Sequence, residues 1–94
     1  MFVLRIEHPV LNYDAWKKAF DSDPVGREDA GVKRYRIMRP TDDHNFIMVE
    51  LEFDSAQEAQ GLLTALRDVW RRVEGKLIET ARSRIVEVLE TVEY

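Results

Sequence analysis

The sequence contains no cysteine, which excludes disulfide bonds, thiol nucleophiles, thiolate-bound metals and iron–sulfur clusters. It also lacks any apolar run near the roughly 18–20 residues of a membrane span. The opening residues 1–5 have neither the basic region nor the long apolar stretch of a signal peptide. We therefore expect a cytoplasmic protein that is soluble and does not bind membranes.

An excess of positive charge is absent as well, because 14 Lys and Arg stand against 18 Asp and Glu, for a net charge of −4. Nucleic acids and anionic membranes are usually bound by a basic face, so neither is expected as a general partner. The 94 residues suffice for one domain, residues 1–94. A domain of this size buries only about 60–65% of its unfolded surface, and a partner surface would stabilise it.

What the sequence does contain is a pattern of six elements in the order βαββαβ. Alternating apolar residues predict four strands, over residues 2–8, 32–39, 45–53 and 84–92. Helices are predicted from Asn12 to Asp21 and from the Ser55–Glu58 capping box to a stop at Gly75. This order is typical of the ferredoxin-like α+β fold, with an antiparallel sheet in the order 4-1-3-2 and both helices on one face.

Two segments have no predicted helix or strand. Residues 76–83 are interpreted as a connection. The loop 21–31 is long, and it is either a lid or a plain solvated loop.

The predicted strands carry two different faces. One is almost wholly apolar and is expected to meet the helices: Phe2, Leu4, Ile6, Tyr35, Ile37, Ile47, Val49, Leu51, Phe53, Val86 and Val88. The other mixes large apolar and charged groups: Val3, Arg5, Glu7, Val32, Arg34, Arg36, Met38, Phe46, Met48, Glu50, Glu52, Ile85, Glu87 and Leu89. Neither open solvent nor a subunit core suits this mixture, whereas a homodimer interface or an enclosed cavity does.

The predicted strand order 4-1-3-2 places opposite charges on neighbouring strands of the mixed face. Arg34 and Arg36 should lie beside Glu50 and Glu52, with Arg5 between those acids and Glu87.

The chain resembles the dimeric α/β-barrel superfamily, which includes antibiotic-biosynthesis-monooxygenase-like and cyclase-like proteins. The resemblance is carried by His8-Pro9-Val10-x-Asn12-Tyr13-Asp14-x-Trp16-Lys17, Phe20-Asp21, Gly31-Val32, Asp43-His44-Asn45, Phe53-Asp54-Ser55 and Glu58-Ala59. Asn12 stands where the pattern would have an acid. The resemblance implies a homodimer whose two sheets close a barrel around the mixed face. It does not specify an activity, because the superfamily includes oxygenases, cyclases, isomerases and haem-degrading proteins.

Three groups of side chains are candidates for a site. His8 ends the first strand, near the barrel mouth in the family geometry, and either serves as a general base or has a structural role there. Trp16 and Tyr13 either line an aromatic ligand pocket or belong to the core. A third group either binds a polar or anionic ligand or forms an ion-pair network that fixes dimer register: Arg34, Arg36, Glu50 and Glu7. No metal site and no cofactor are expected, because the two histidines share no ligand spacing and no glycine-rich phosphate loop is present.

The leading hypothesis is a small-molecule-binding homodimer related to cofactor-independent monooxygenases or cyclases that act on aromatic or polyketide-type compounds. The alternative is a non-enzymatic dimer with a structural or ligand-sensing role, so the sequence leaves open whether the protein is an enzyme. RNA recognition is disfavoured, because strand 45–53 is acidic and lacks the glycine-aromatic pattern of RNA-binding sheets.

Overall fold

The computed structural model describes all 94 residues. Its elements are β1 (Phe2–Pro9), α1 (Tyr13–Asp21), β2 (Arg34–Met38), β3 (Phe46–Phe53), α2 (Ala56–Val73) and β4 (Arg82–Glu87). The four strands form one open antiparallel sheet in the order β2-β3-β1-β4, which confirms the predicted order and topology. Neither helix combines the length and the apolar composition that crossing a bilayer requires.

Both helices begin at the residues that the sequence indicates. The Asn12 side chain accepts a hydrogen bond of 2.9 Å from the Ala15 amide and caps α1. At the start of α2, Ser55 Oγ accepts from the Glu58 amide and donates to the Glu58 carboxylate, each at 3.1 Å. Beyond the end of α2, Gly75 has a φ of +82°, a conformation that glycine adopts without strain.

The helices cover one face of the sheet, called here the helix-covered face. Its side chains pack with Trp16 of α1 and with Leu62 and Leu63 of α2 in a single hydrophobic cluster. The centre of this cluster is fully buried, at Leu4, Ile47, Leu51 and Phe53. The face consists of Phe2, Leu4, Ile6, His8, Tyr35, Ile37, Ile47, Val49, Leu51, Phe53, Ser83, Ile85 and Glu87.

The predicted facing of β4 is wrong. Ile85 pairs with Leu4 and packs against the core, while Val86 pairs with Val3 on the opposite face. Ile85 and Val86 are adjacent and both apolar, so alternation alone could not choose between them, and a shift of one residue reverses every side chain. The strand is also shorter than expected, ending at Glu87, and residues 88–94 have no helix or strand.

Two further apolar residues pack differently from the prediction. Val32 precedes β2 and packs against the core instead of lying on the other face. Ile78, in the segment interpreted as a connection, is 2% exposed and forms isolated bridges with Val10 and Glu74. Residues 74–81 therefore close one end of the core.

Candidate functional site

The second face of the sheet has no helix over it and is called here the helix-free face. Its charged side chains form ion pairs between neighbouring strands, as the sequence predicts: Arg34 with Glu52 at 2.6 Å and Arg36 with Glu50 at 2.8 Å. Glu50 also accepts from Arg5 at 2.9 Å. The face consists of Val3, Arg5, Glu7, Arg34, Arg36, Met38, Phe46, Met48, Glu50, Glu52, Arg82, Arg84 and Val86.

One expected neighbour of Arg5 is wrong. The residue opposite Arg5 on β4 is Arg84, not Glu87. Like charges directly opposite each other destabilise a sheet, so this position favours an anion nearby. Arg5, Arg82 and Arg84, together with Glu7 and Glu50, line a groove of about 220 Å³ on the helix-free face.

His8 lies on the other side of the sheet. It continues the alternation of Leu4 and Ile6 and is 2% exposed, buried beneath α1 rather than placed at a barrel mouth. Its Nδ1 is 3.0 Å from the Pro9 carbonyl oxygen. Because a carbonyl can only accept, Nδ1 carries the hydrogen of this bond, and Nε2 of the neutral ring is left with a free lone pair.

Burial lowers the pKa of His8 below its usual range, although the hydrogen bond to Pro9 acts in the opposite direction. The ring is therefore neutral at pH 7. Every fully buried polar side-chain atom in the chain has a hydrogen-bond partner. Nε2 has no partner in the protein, so it retains accessible surface, and His8 lines a pocket between the helices and the sheet.

A chain of aromatic rings runs from His8 across α1. The Trp16 ring meets His8 edge-on, with centroids 6.0 Å apart, and stacks on Phe20 at 5.0 Å. Phe20 in turn meets Tyr35 of β2 at 5.1 Å. Tyr13 lies at the other side of Trp16, at 5.9 Å. These contacts place Trp16 of α1 against the imidazole.

The cavity beside His8 lies between the helices and the sheet and has a volume of about 80 Å³. Trp16, Phe20 and Trp70 contribute rings to its wall, and Val25 and Arg27 close it from the loop between α1 and β2. Of the 15 residues that line the cavity, 12 are hydrophobic, so the cavity suits a largely apolar ligand.

Arg27 holds that loop in place. Its side chain is only 14% exposed, and its guanidinium lies 3.9 Å from the centroid of the Phe20 ring and 5.0 Å from that of Tyr35. It donates to the Phe20 carbonyl at 2.7 Å and lies 3.5 Å from the Asp23 carboxylate. The loop is thus fastened to α1 and β2 through one side chain.

The structure therefore divides the candidate residues between the two faces. His8 and Trp16 lie together on the helix-covered side and both line the cavity, whereas Tyr13 contacts Trp16 but does not line the cavity. Arg34, Arg36 and Glu50 lie on the helix-free face, separated from the first group by the sheet.

Arg27, Arg82 and Arg84 were missed from the sequence. Extending β4 back to residue 82 would have placed both of its arginines on the mixed face and Ile85 in the core. Arg27 had no such signal, because its partners are brought together only by the fold.

Comparison with solved structures shows the fold of dimeric ferredoxin-like proteins. One such protein from an uncultured marine organism has a TM-score of 0.72 and 11% identity, with 97% of each chain covered. SnoaB, a cofactor-independent oxygenase from Streptomyces nogalater, has a TM-score of 0.76 and 12% identity over 99% of this chain and 97% of that one. A provisionally assigned antibiotic biosynthesis monooxygenase from Nitrosomonas europaea has a TM-score of 0.71 and 20% identity, over 96% of this chain and 100% of that one.

These identities are low, so the likeness establishes the fold alone. It confirms the predicted ferredoxin-like fold. No protein-family model matches the chain, and no curated protein matches it.

Proposed function

We propose that the protein is a homodimer closed through its helix-free faces, and that each subunit binds a small aromatic compound between its helices and its sheet. His8 serves there as a general base, in the manner of a cofactor-independent oxygenase. The observation that carries the proposal is a neutral imidazole with an unpartnered Nε2 on the wall of an apolar cavity. Fold neighbours described as dimeric, and one described as a cofactor-independent oxygenase, support it.

The chemistry follows from the environment of the base. A buried neutral histidine can take a proton from an acidic CH₂ group that is conjugated with a ketone through aromatic rings, because the imidazole starts unprotonated and lies next to the bound ring. The resulting carbanion is stabilised by the ring system and reacts with dioxygen. One oxygen atom becomes a new carbonyl on the former CH₂ carbon, and the other leaves as water with the two hydrogens.

Ligand entry requires the loop to move. A cavity of about 80 Å³ is smaller than the roughly 150 Å³ that holds benzene in an engineered core. Val25 and Arg27 belong to the loop wall of the cavity, and the Arg27 contacts hold that wall closed. Replacing Arg27 by methionine should therefore speed the binding of aromatic compounds while leaving the opposite wall intact.

Binding is tested with phenol, 1-naphthol and anthrone, followed by quenching of tryptophan fluorescence and by the shift in melting temperature. Ala19 lines the cavity, whereas Ala15 is an exposed residue of the same helix, so Ala19→Leu and Ala15→Leu form a matched pair. We expect Ala19→Leu to weaken binding at least about tenfold through overpacking and Ala15→Leu to leave it unchanged. Equal binding by both variants would show that the cavity is not the site.

The role of His8 is tested by oxygen consumption with anthrone, corrected for the rate without protein. His8→Gln should lower the protein-dependent rate by about 10²–10⁴-fold, the usual contribution of a general base, while anthrone still binds. His44→Gln, in an exposed turn, is the control. An unchanged rate in His8→Gln would refute the base assignment.

The non-enzymatic dimer is the second candidate, and the small volume of the cavity favours it. It predicts that none of the three probes gives saturable binding, even when Arg27→Met has released the loop.

A further inference from the structure

The helix-free face carries more positive charge than its own residues compensate. Its charged groups are five arginines and three glutamates, which leaves a surplus of two positive charges in a chain whose net charge is −4. Glu50 and Glu52 pair with Arg5, Arg34 and Arg36. Arg82 and Arg84 take part in none of the ion pairs of the chain.

In the proposed dimer two such faces meet, so the barrel interior would hold four uncompensated positive charges. An unpaired charge taken out of water is strongly unfavourable, and arginine cannot lose its proton to avoid this. Acidic groups must therefore reach this face from another part of the assembly.

Residues 88–94 carry the negative charge that the helix-free face lacks. This segment, Val88-Leu89-Glu90-Thr91-Val92-Glu93-Tyr94, contains two acids and no basic residue. Two such segments in a dimer supply the four negative charges that the two faces require. Leu89 is 87% exposed, Val92 is 57% exposed and Tyr94 is fully exposed, an unusual set of large apolar groups to leave in water.

The segment also has a regular pattern. Leu89 and Val92 are three residues apart, and so are Glu90 and Glu93, which places each pair on one side of an extended chain with three residues per turn. Such a segment can present its acids to one surface and its apolar groups to another.

The geometry of β4 directs the segment away from its own arginines. The chain leaves the sheet beyond Glu87, where Val88 donates to the Met1 carbonyl, whereas Arg82 lies five residues back along the strand, about 17 Å away. To reach its own Arg82 the chain would have to reverse direction, whereas in a two-fold dimer each segment can reach the face of the other subunit, because seven residues with three residues per turn span about 22 Å.

We propose that residues 88–94 of each subunit dock in the groove of Arg5, Arg82 and Arg84 on the partner subunit, with Glu90 and Glu93 compensating those arginines. The occupant is thus a second copy of this chain, and the inference rests on the proposed dimer. Docking is reciprocal, so each subunit both donates a segment and receives one.

The first test is a charge exchange read as the dimer dissociation constant from sedimentation equilibrium. Glu90→Lys with Glu93→Lys should weaken the dimer at least about tenfold, and so should Arg82→Glu with Arg84→Glu. Combining all four substitutions should restore most of the affinity. The matched controls make the same charge changes at exposed residues outside any ion pair: Asp42→Lys with Glu79→Lys, and Arg67→Glu with Arg72→Glu.

The second test uses the absence of native cysteine. A chain carrying Arg84→Cys is mixed with a chain carrying Glu90→Cys under mild oxidation, so that any disulfide between the two must join different subunits. We expect this pair to cross-link and a control pair, Arg84→Cys with Asp68→Cys on the outer side of α2, not to do so.

The outcomes separate the two proposals. A wild-type chain that sediments as a single subunit refutes the dimer and the docking together. A stable dimer that neither cross-links nor recovers in the charge exchange refutes the docking alone.

Discussion

The two faces of the sheet are built from alternating residues of the same four strands, yet they are completed in different ways. The helix-covered face is apolar, and α1 and α2 bury it within the subunit. The helix-free face places half-buried Met38 and Met48 beside charged groups, and no helix of the subunit covers it. The difference indicates that one face is responsible for folding of the subunit and the other for its assembly.

One buried residue departs from this division. His8 is the one buried polar residue among 14 buried residues, and it lies on the helix-covered face. Burying an imidazole among apolar side chains raises the free energy of its charged form and contributes less packing than an aliphatic residue would. The position of His8 is therefore better explained by a role in a functional site than by a contribution to the stability of the fold.

The largest expected loss of stability comes from a substitution in the helix-covered face. Phe53→Ala removes a ring that is 1% exposed and should lower the free energy of unfolding by about 3–5 kcal/mol, measured by urea denaturation. Glu52→Ala, the adjacent residue on the helix-free face, should lower it by less than about 1 kcal/mol. Equal losses at the two positions would contradict the division between the faces.

A charge on the helix-free face should act on assembly instead. Met48→Lys adds a positive charge opposite Met38 on a face that already has a surplus, so we expect single subunits that remain folded. Sedimentation velocity and circular dichroism measure the two properties. Gln57→Lys, exposed on α2, should stay dimeric. A Met48→Lys variant that dimerises like the wild type would refute the proposed interface.

His8 should make stability depend on pH. Its pKa is lowered in the folded state, so the unfolded chain binds more protons at mildly acidic pH. Stability is then full above the unfolded pKa of about 6.5 and falls as the pH falls below it. In His8→Gln this decline, followed by urea denaturation at a series of pH values, should disappear. The His44→Gln variant should still lose stability as the pH falls. If His8→Gln also loses stability unchanged, the decline comes from groups other than His8.

The smallest effect concerns the ion pairs. The guanidinium of Arg34 is mostly exposed at 2.6 Å from Glu52, so a double-mutant cycle with Arg34→Ala and Glu52→Ala should give only about 0.2–1 kcal/mol in single subunits. The Met48→Lys background provides such subunits. In the dimer the coupling should increase, because solvent is removed from the pair. The same coupling in both backgrounds would indicate that this pair stays in water.

Much of the fold could be predicted because its signals are local. The Ser55–Glu58 capping box spans one helical turn, and alternation along β1 and β3 identifies the buried face without knowledge of the partner strand. The same alternation, continued two residues past Ile6, would have placed His8 under the helices. The interpretation of residue 8 as a strand end overrode that signal.

The rest depended on contacts between distant residues. Ile85 and Val86 are equally apolar, and only pairing with β1 decides which one enters the core. Ile78 is buried by a bridge to Val10, which is 68 positions earlier in the chain. No local pattern encodes either contact.

The βαββαβ order, the helix caps and the mixed character of one sheet face can be predicted from the residues alone, because each depends on positions close together in the chain. Three other features arise only on folding: His8 and Trp16 share a cavity, Arg27 closes it, and Arg82 and Arg84 meet Arg5. The physical reason is register: strand pairing and helix docking decide which distant side chains become neighbours, and their chemistry follows from that proximity.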